Sequence, residues 1–149
     1  MTRQKSKADF IQPMLLLRTE RLQEGPNWLY ELKLDGYRVI GAKAERRAHL
    51  WSRNERDFGP RYPSIVNALA NLPEHTVVDG EIIALDEAGK PSFSALQNYS
   101  SSQAPLAYYI FDLLVLAGRD LSADRGAPPR PVRRCAIAAS GIRRRGSAN

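Results

Sequence analysis

From residue 28 to residue 44, WLYELKLDGYRVIGAKA alternates aromatic or branched residues with polar ones, the period-two pattern of strands with one buried face. Asp35-Gly36 interrupts the alternation, which predicts two antiparallel strands joined by a tight turn. AHLWS, residues 48–52, predicts the next strand of that meander. The period then changes: Ile65, Leu69 and Leu72 fall at helical spacing between Pro63 and Pro73, so a short helix is predicted near residues 64–71. Residues 76–85 read as a strand that turns at Asp86-Glu87-Ala88-Gly89. FSALQNY predicts another short helix. In APLAYYIFDLLVLAG, Tyr108, Tyr109, Ile110, Phe111 and Val115 favour a strand ending at Gly118, although length alone leaves helix open.

These elements predict an α+β fold, mainly antiparallel sheet with flanking helices. One domain is expected from 149 residues, 43% of them hydrophobic. Residues 1–12 read as a flexible leader and 13–121 as the domain, with the apolar run at 14–17 as its first buried strand or turn. That run is too short for a signal or a membrane span, so a cytoplasmic protein with no membrane role is expected. The single cysteine, Cys135, provides neither a disulfide framework nor a cysteine-rich zinc site.

The net charge of +6 suggests nucleic acid until its position is considered. Basic and acidic residues balance through Leu121, and the whole excess lies beyond it, in seven arginines set against Asp124. Residues 122–149 are built almost wholly from Arg, Ala, Pro, Gly and Ser and are expected to be a disordered basic tail. A basic arm on DNA phosphates is one reading of this tail. A shifted or prematurely ended reading frame is the other, favoured because the composition changes at one point and no aromatic interleaves the arginines.

The segment richest in chemistry is ELKLDGYR, residues 31–38. Around a turn at Asp35-Gly36, Lys33 and Asp35 share one side and Arg38 returns on the facing strand. A nucleophilic lysine must lose its proton from an ordinary pKa of about 10.4, and burial with a neighbouring cation lowers that value. Arg38 can supply the cation and hold a phosphate or ribose oxygen. Taken alone, an Asp-Gly turn bracketed by charges is as well explained as an ordinary hairpin.

The stretch resembles motif I of the covalent nucleotidyltransferases, Lys-x-Asp-Gly-x-Arg, the family of DNA and RNA ligases and capping guanylyltransferases. Three later segments resemble that family's motifs in the same order: SRN (residues 52–54), DGE (79–81) and IFDLL (110–114). The flanking sequence looks most like the ATP-dependent DNA ligases of bacterial repair. The resemblance implies a partial nucleotidyltransferase (ATP-grasp-like) adenylation domain with ATP and Mg as cofactors. It implies Lys33 as nucleophile, Glu31 beside the adenine, Arg38 on the ribose or the nick-side phosphate, and Arg53 on the nucleotide or DNA end. Glu81 is implied at ribose hydroxyls or a metal-linked water, and Phe111 on the purine. Without the family match, Phe111 reads as a core aromatic, Arg53 and Glu81 equally well as solvated surface, and His49 and His75 as structural.

The implied reaction is lysine adenylation followed by nick sealing in DNA repair or recombination. The implied partners are nicked double-stranded DNA and other repair proteins, with the chain itself a monomer. In the family a motif IV glutamate, a pair of motif V lysines and an OB-fold follow these motifs. The last glutamate here is Glu87 and the last lysine Lys90, so the chain is expected to be an incomplete adenylation domain, weakly active or inactive. The alternatives are an RNA ligase or capping-type guanylyltransferase fragment, and a non-enzymatic remnant with weak nucleotide or DNA binding.

Overall fold

The computed structural model describes residues 8–15, 21, 24–26 and 33–121, together with the backbone of 135–139. Its centre is an antiparallel sheet of β1 (Tyr37–Ala44), β2 (Arg47–Ser52), β3 (Thr76–Ala84), β4 (Leu106–Leu116) and β5 (Arg119–Asp120), in the order β2-β1-β3-β4-β5. Three short helices, α1 (Pro63–Leu69), α2 (Phe93–Gln97) and α3 (Tyr99–Ser102), sit in the connections.

The alternation in β1 works as the sequence predicts. Val39 faces α1 and joins a core with Leu50, Ile65, Leu69, Val78, Ile82 and Tyr108. Ile40 and Ala42 face the other way and join Ala8, Val77, Leu114 and Val115. β3 is buried along nearly its whole length because both of its edges are paired and both of its faces are covered. Helix α1 starts at Pro63, whose missing N–H costs nothing at a first helical position. Its C-terminal end is met by Lys43, whose Nζ donates to the Ala70 carbonyl at 2.8 Å.

The turn after β3 has the expected chemistry. Asp86 Oδ1 accepts from the N–H groups of Ala88 (2.9 Å) and Lys90 (2.8 Å), and Gly89 takes φ 75°. The return limb is one bridge, Leu85 to Pro91, before α2 begins with Ser92 as its N-cap.

Two expectations are corrected among the described residues. Asp35-Gly36 is not the turn of a hairpin whose second strand is β1, because over residues 39–43 β1 is already paired with β2 on one edge and β3 on the other. Residues 33–35 run irregularly into β1, and most of the first limb, residues 27–32, lies outside the described residues. The second expectation concerns the apolar run at 14–17. In the leader, Ala8 is buried, Phe10 and Ile11 pack on the second core and Pro13 is buried, whereas Met14 and Leu15, expected to be buried, are 62% and 67% exposed. In the tail, β6 (Cys135–Ala139) pairs antiparallel with β4, from Leu106↔Ala139 to Ile110↔Cys135. Its backbone groups meet an edge that β5 leaves unpaired there.

β4 carries two register shifts against β3. Gly80 faces Ile110 while Asp79 faces Asp112, which makes Phe111 an extra residue, and Leu114 is displaced in the same way between Leu113 and Val115. A bulge of this kind turns two successive residues to one side of the sheet.

Candidate functional site

The site is built on the sheet face opposite α1, at the end of β1 where the chain arrives from Lys33. The pairing sets out a row across three strands, with Arg38 opposite Glu81 and Glu81 opposite Tyr109. Directly paired residues point to the same face, so Arg38 and Glu81 are neighbours although 43 positions apart in sequence. Asp79, two residues before Glu81 on β3, shares that face.

Arg38 is held from three directions. Its Nε and Nη2 donate to Asp79 Oδ1 (3.1 Å) and Oδ2 (2.7 Å), a bidentate pair with a carboxylate only 2% exposed. Its Nη1 donates to the Met14 carbonyl at 2.8 Å. Its guanidinium carbon lies 5.4 Å from the centroid of the Phe111 ring, within cation–π range. The Asp79 hydrogen bonds raise its pKa above the ordinary arginine value, opposed by burial and supported by the negative charges of Asp79, Glu81 and Asp112. It is a permanent cation of fixed orientation.

Glu81 anchors the lysine-bearing loop. Its Oε1 accepts from the Gly36 N–H at 3.0 Å. Burial pushes the Glu81 carboxyl above its usual range; the Gly36 N–H, Arg38 and Lys33 pull it down, and Asp35 adds to the rise. The Lys33 charge is therefore felt at Glu81. Gly36 has no room for a side chain: a Cβ there would lie 2.1 Å from the Ile82 carbonyl oxygen and 2.9 Å from Glu81 Cγ. Close approach to β3 is what the glycine serves. Gly80 is required in the same way, since a Cβ there would meet the Tyr109 carbonyl oxygen at 2.2 Å and Tyr108 Cε2 at 2.6 Å.

Of the residues singled out in the sequence, Arg38, Glu81 and Phe111 are brought together, and the exposed Lys33 is near enough for its charge to act on Glu81. Arg53 is exposed in the turn after β2, which Ser52 Oγ holds by accepting from the N–H groups of Asn54 (3.3 Å) and Arg56 (3.1 Å). Pairing with β1 stops at Val39↔Ser52, and Arg53 lies just beyond it in the turn. Glu31 lies outside the described residues. Sequence reasoning gave no role to Asp79, although the DGE segment contains it. It also missed the Met14 carbonyl, which no residue type could signal because every residue has one. Among the described residues no group of three or more His, Cys, Asp or Glu side chains is placed to hold a metal ion.

The chain belongs to the ATP dependent DNA ligase domain family, whose model matches residues 13–131. It is 39% identical over 116 residues to the multifunctional non-homologous end joining protein LigD of Pseudomonas aeruginosa, covering 76% of this chain and 14% of that protein. It is 29% identical over 117 residues to the SPbeta prophage-derived DNA ligase-like protein LigB of Bacillus subtilis, 76% of this chain and 43% of that one. Among solved structures, the ligase domain of M. tuberculosis LigD is similar with a TM-score of 0.51 and 38% identity, over 60% of this chain and 30% of that chain. A mycobacterial DNA ligase D complexed with ATP and MES gives a TM-score of 0.52 at 38% identity, with the same coverage. The chain thus spans less than half the length of each of these relatives.

Proposed function

We propose that this chain carries the nucleotide-facing half of a DNA ligase adenylation site, of nucleotidyltransferase type, with Lys33 as the residue that accepts AMP. The observation that carries this reading is the Gly36 to Glu81 hydrogen bond, which fastens the lysine-bearing loop against the Arg38 row. In the proposed step, neutral Lys33 Nζ attacks the α-phosphorus of ATP, an N–P bond forms, the bond to pyrophosphate breaks and the amine proton passes to solvent. Arg38, oriented by Asp79, stabilises negative charge on the phosphate or holds a ribose oxygen. A purine stacks on the face of Phe111 that Arg38 leaves. Glu81 holds the loop and takes a ribose hydroxyl with its other oxygen. Arg53, exposed in the turn after β2, is assigned to the nucleotide or a DNA end, and Glu31 to the adenine.

The described residues do not build a metal cage, and one oxygen of Glu81 is already engaged. Magnesium is therefore proposed as an ion that arrives on the triphosphate, which asks for one or two protein carboxylates at most. Transfer of AMP to a 5′-phosphate and its displacement by a 3′-hydroxyl at a DNA nick complete the proposed reaction. The proposed setting is cytoplasmic, with the chain a monomer that works beside other repair proteins. Among the described residues no helix is long and apolar enough to cross a membrane.

The test is intact mass after incubation with ATP and Mg²⁺, or with GTP and Mg²⁺, for the native chain and Lys33→Ala. An AMP adduct that needs ATP and Lys33 supports the reading. A GMP adduct would move it to a capping-type guanylyltransferase. Absence of both an adduct and ATP binding would leave a non-enzymatic remnant.

A further inference from the structure

We infer that residues 8–14 form a strap that positions Arg38, so that docking of the strap on the sheet and binding of a phosphate at Arg38 are coupled. This rests on the reading that Arg38 meets a nucleotide phosphate. The Met14 carbonyl takes the Nη1 bond at 2.8 Å, yet the Met14 side chain is 62% exposed and that of Leu15 67%, so neither holds the carbonyl in place. The grip lies upstream. Ala8 and Pro13 are buried, Ile11 packs on the core beneath, and Phe10 meets Trp51 edge to face, with ring centroids 6.1 Å apart. Trp51 is backed by a stacked His49 ring at 5.3 Å.

Asp79 fixes one side of the guanidinium and the strap fixes Nη1. An arginine loses rotamer freedom when it is immobilised, which costs free energy. A docked strap meets that cost before a ligand arrives, and by linkage a ligand that needs the ordered guanidinium tightens the strap to the same degree.

The full chain carries two tryptophans, so a Trp28→Phe background leaves Trp51 as the reporter beneath Phe10. The measurements are acrylamide quenching of Trp51 with and without ATP and Mg²⁺, and ATP affinity by calorimetry, in Phe10→Ala, Arg38→Lys and the double variant, each checked for folding by far-UV circular dichroism. Arg38→Lys is expected to increase quenching without any ligand, because lysine cannot hold Asp79 and the Met14 carbonyl together. ATP is expected to decrease quenching in the native chain. Phe10→Ala is expected to weaken ATP about fivefold, the low end of measured couplings, and to add nothing in the Arg38→Lys background. Unchanged quenching in Arg38→Lys, or an equal loss of affinity from Phe10→Ala in both backgrounds, overturns the inference. If native protein binds no ATP, the nucleotide reading fails and the ligand-free quenching still decides the strap.

Discussion

Asp79 and Glu81 sit on the same face of one strand, but the fold uses their charges in opposite ways. Asp79 is buried against a guanidinium that takes both of its oxygens, so its charge is compensated. Asp79→Asn leaves Arg38 without its bidentate partner and is expected to cost about 1–3 kcal/mol, read as a lower urea midpoint. Glu81 is raised by burial more than its partners lower it. A carboxyl raised by folding favours the protonated form, so its contribution is present at low pH and lost as pH climbs through the carboxylate range. Glu81→Gln keeps an acceptor for the Gly36 N–H and removes that loss. Relative to the native chain it is expected to be more stable at pH 7 than at pH 4, by urea unfolding at both; the reverse order would show that Lys33 and Arg38 outweigh burial. Neither role was legible in the sequence. DGE marks a motif, but which carboxylate binds the guanidinium depends on a register between strands some forty residues apart.

At the scale of elements, the strands were legible wherever one rule decided them. Period-two alternation located β1 and the meander that continues into β2, aromatic and branched residues located β4, and the prolines bracketed α1. The rule failed at Asp35-Gly36, because turn chemistry and a glycine needed for close approach to β3 look the same in sequence. It could not show the bulge at Phe111, since inserting one residue changes no composition. Yet that bulge brings the ring under Arg38. Gly80→Ala places a methyl against the Tyr109 carbonyl and the Tyr108 ring, and is expected to destabilise by about 1–3 kcal/mol as an overpacked site. Tyr62 offers the opposite case. Its hydroxyl is buried without a hydrogen-bond partner among the described residues, and burial pushes its pKa up to about 12. Tyr62→Phe is expected to stabilise by about 1 kcal/mol. It is also expected to flatten the fall in stability expected of the native chain as pH rises from the ordinary tyrosine value of 10.0 to about 12, where a raised phenol loses its contribution. A lower midpoint in Tyr62→Phe would mean that the hydroxyl does find a partner.

For the whole molecule, the question is how much catalysis these 149 residues carry on their own. They supply the lysine, a cation held in one orientation and a ring beneath it, and they span 30% of the solved ligase-domain chains they resemble. Lys33 itself is exposed. In the proposed step, charge developing on the α-phosphorus has Arg38 as its oriented donor among the described residues, where the family resemblance implies a further pair of lysines. No lysine follows Lys90 in this sequence. Loss of a single preorganised donor costs about a hundredfold to a thousandfold in rate. The 149-residue polypeptide alone is therefore expected to bind ATP weakly, to form lysyl-AMP over hours or not at all, and to seal no nicks. The measurement is radiolabel transfer from α-labelled ATP, with Lys33→Ala as the blank, beside a gel assay on nicked duplex DNA. Nick sealing by the isolated polypeptide that Lys33→Ala abolishes would mean that the Arg38 row is a sufficient clamp, and the proposal of a half-site would have to be given up.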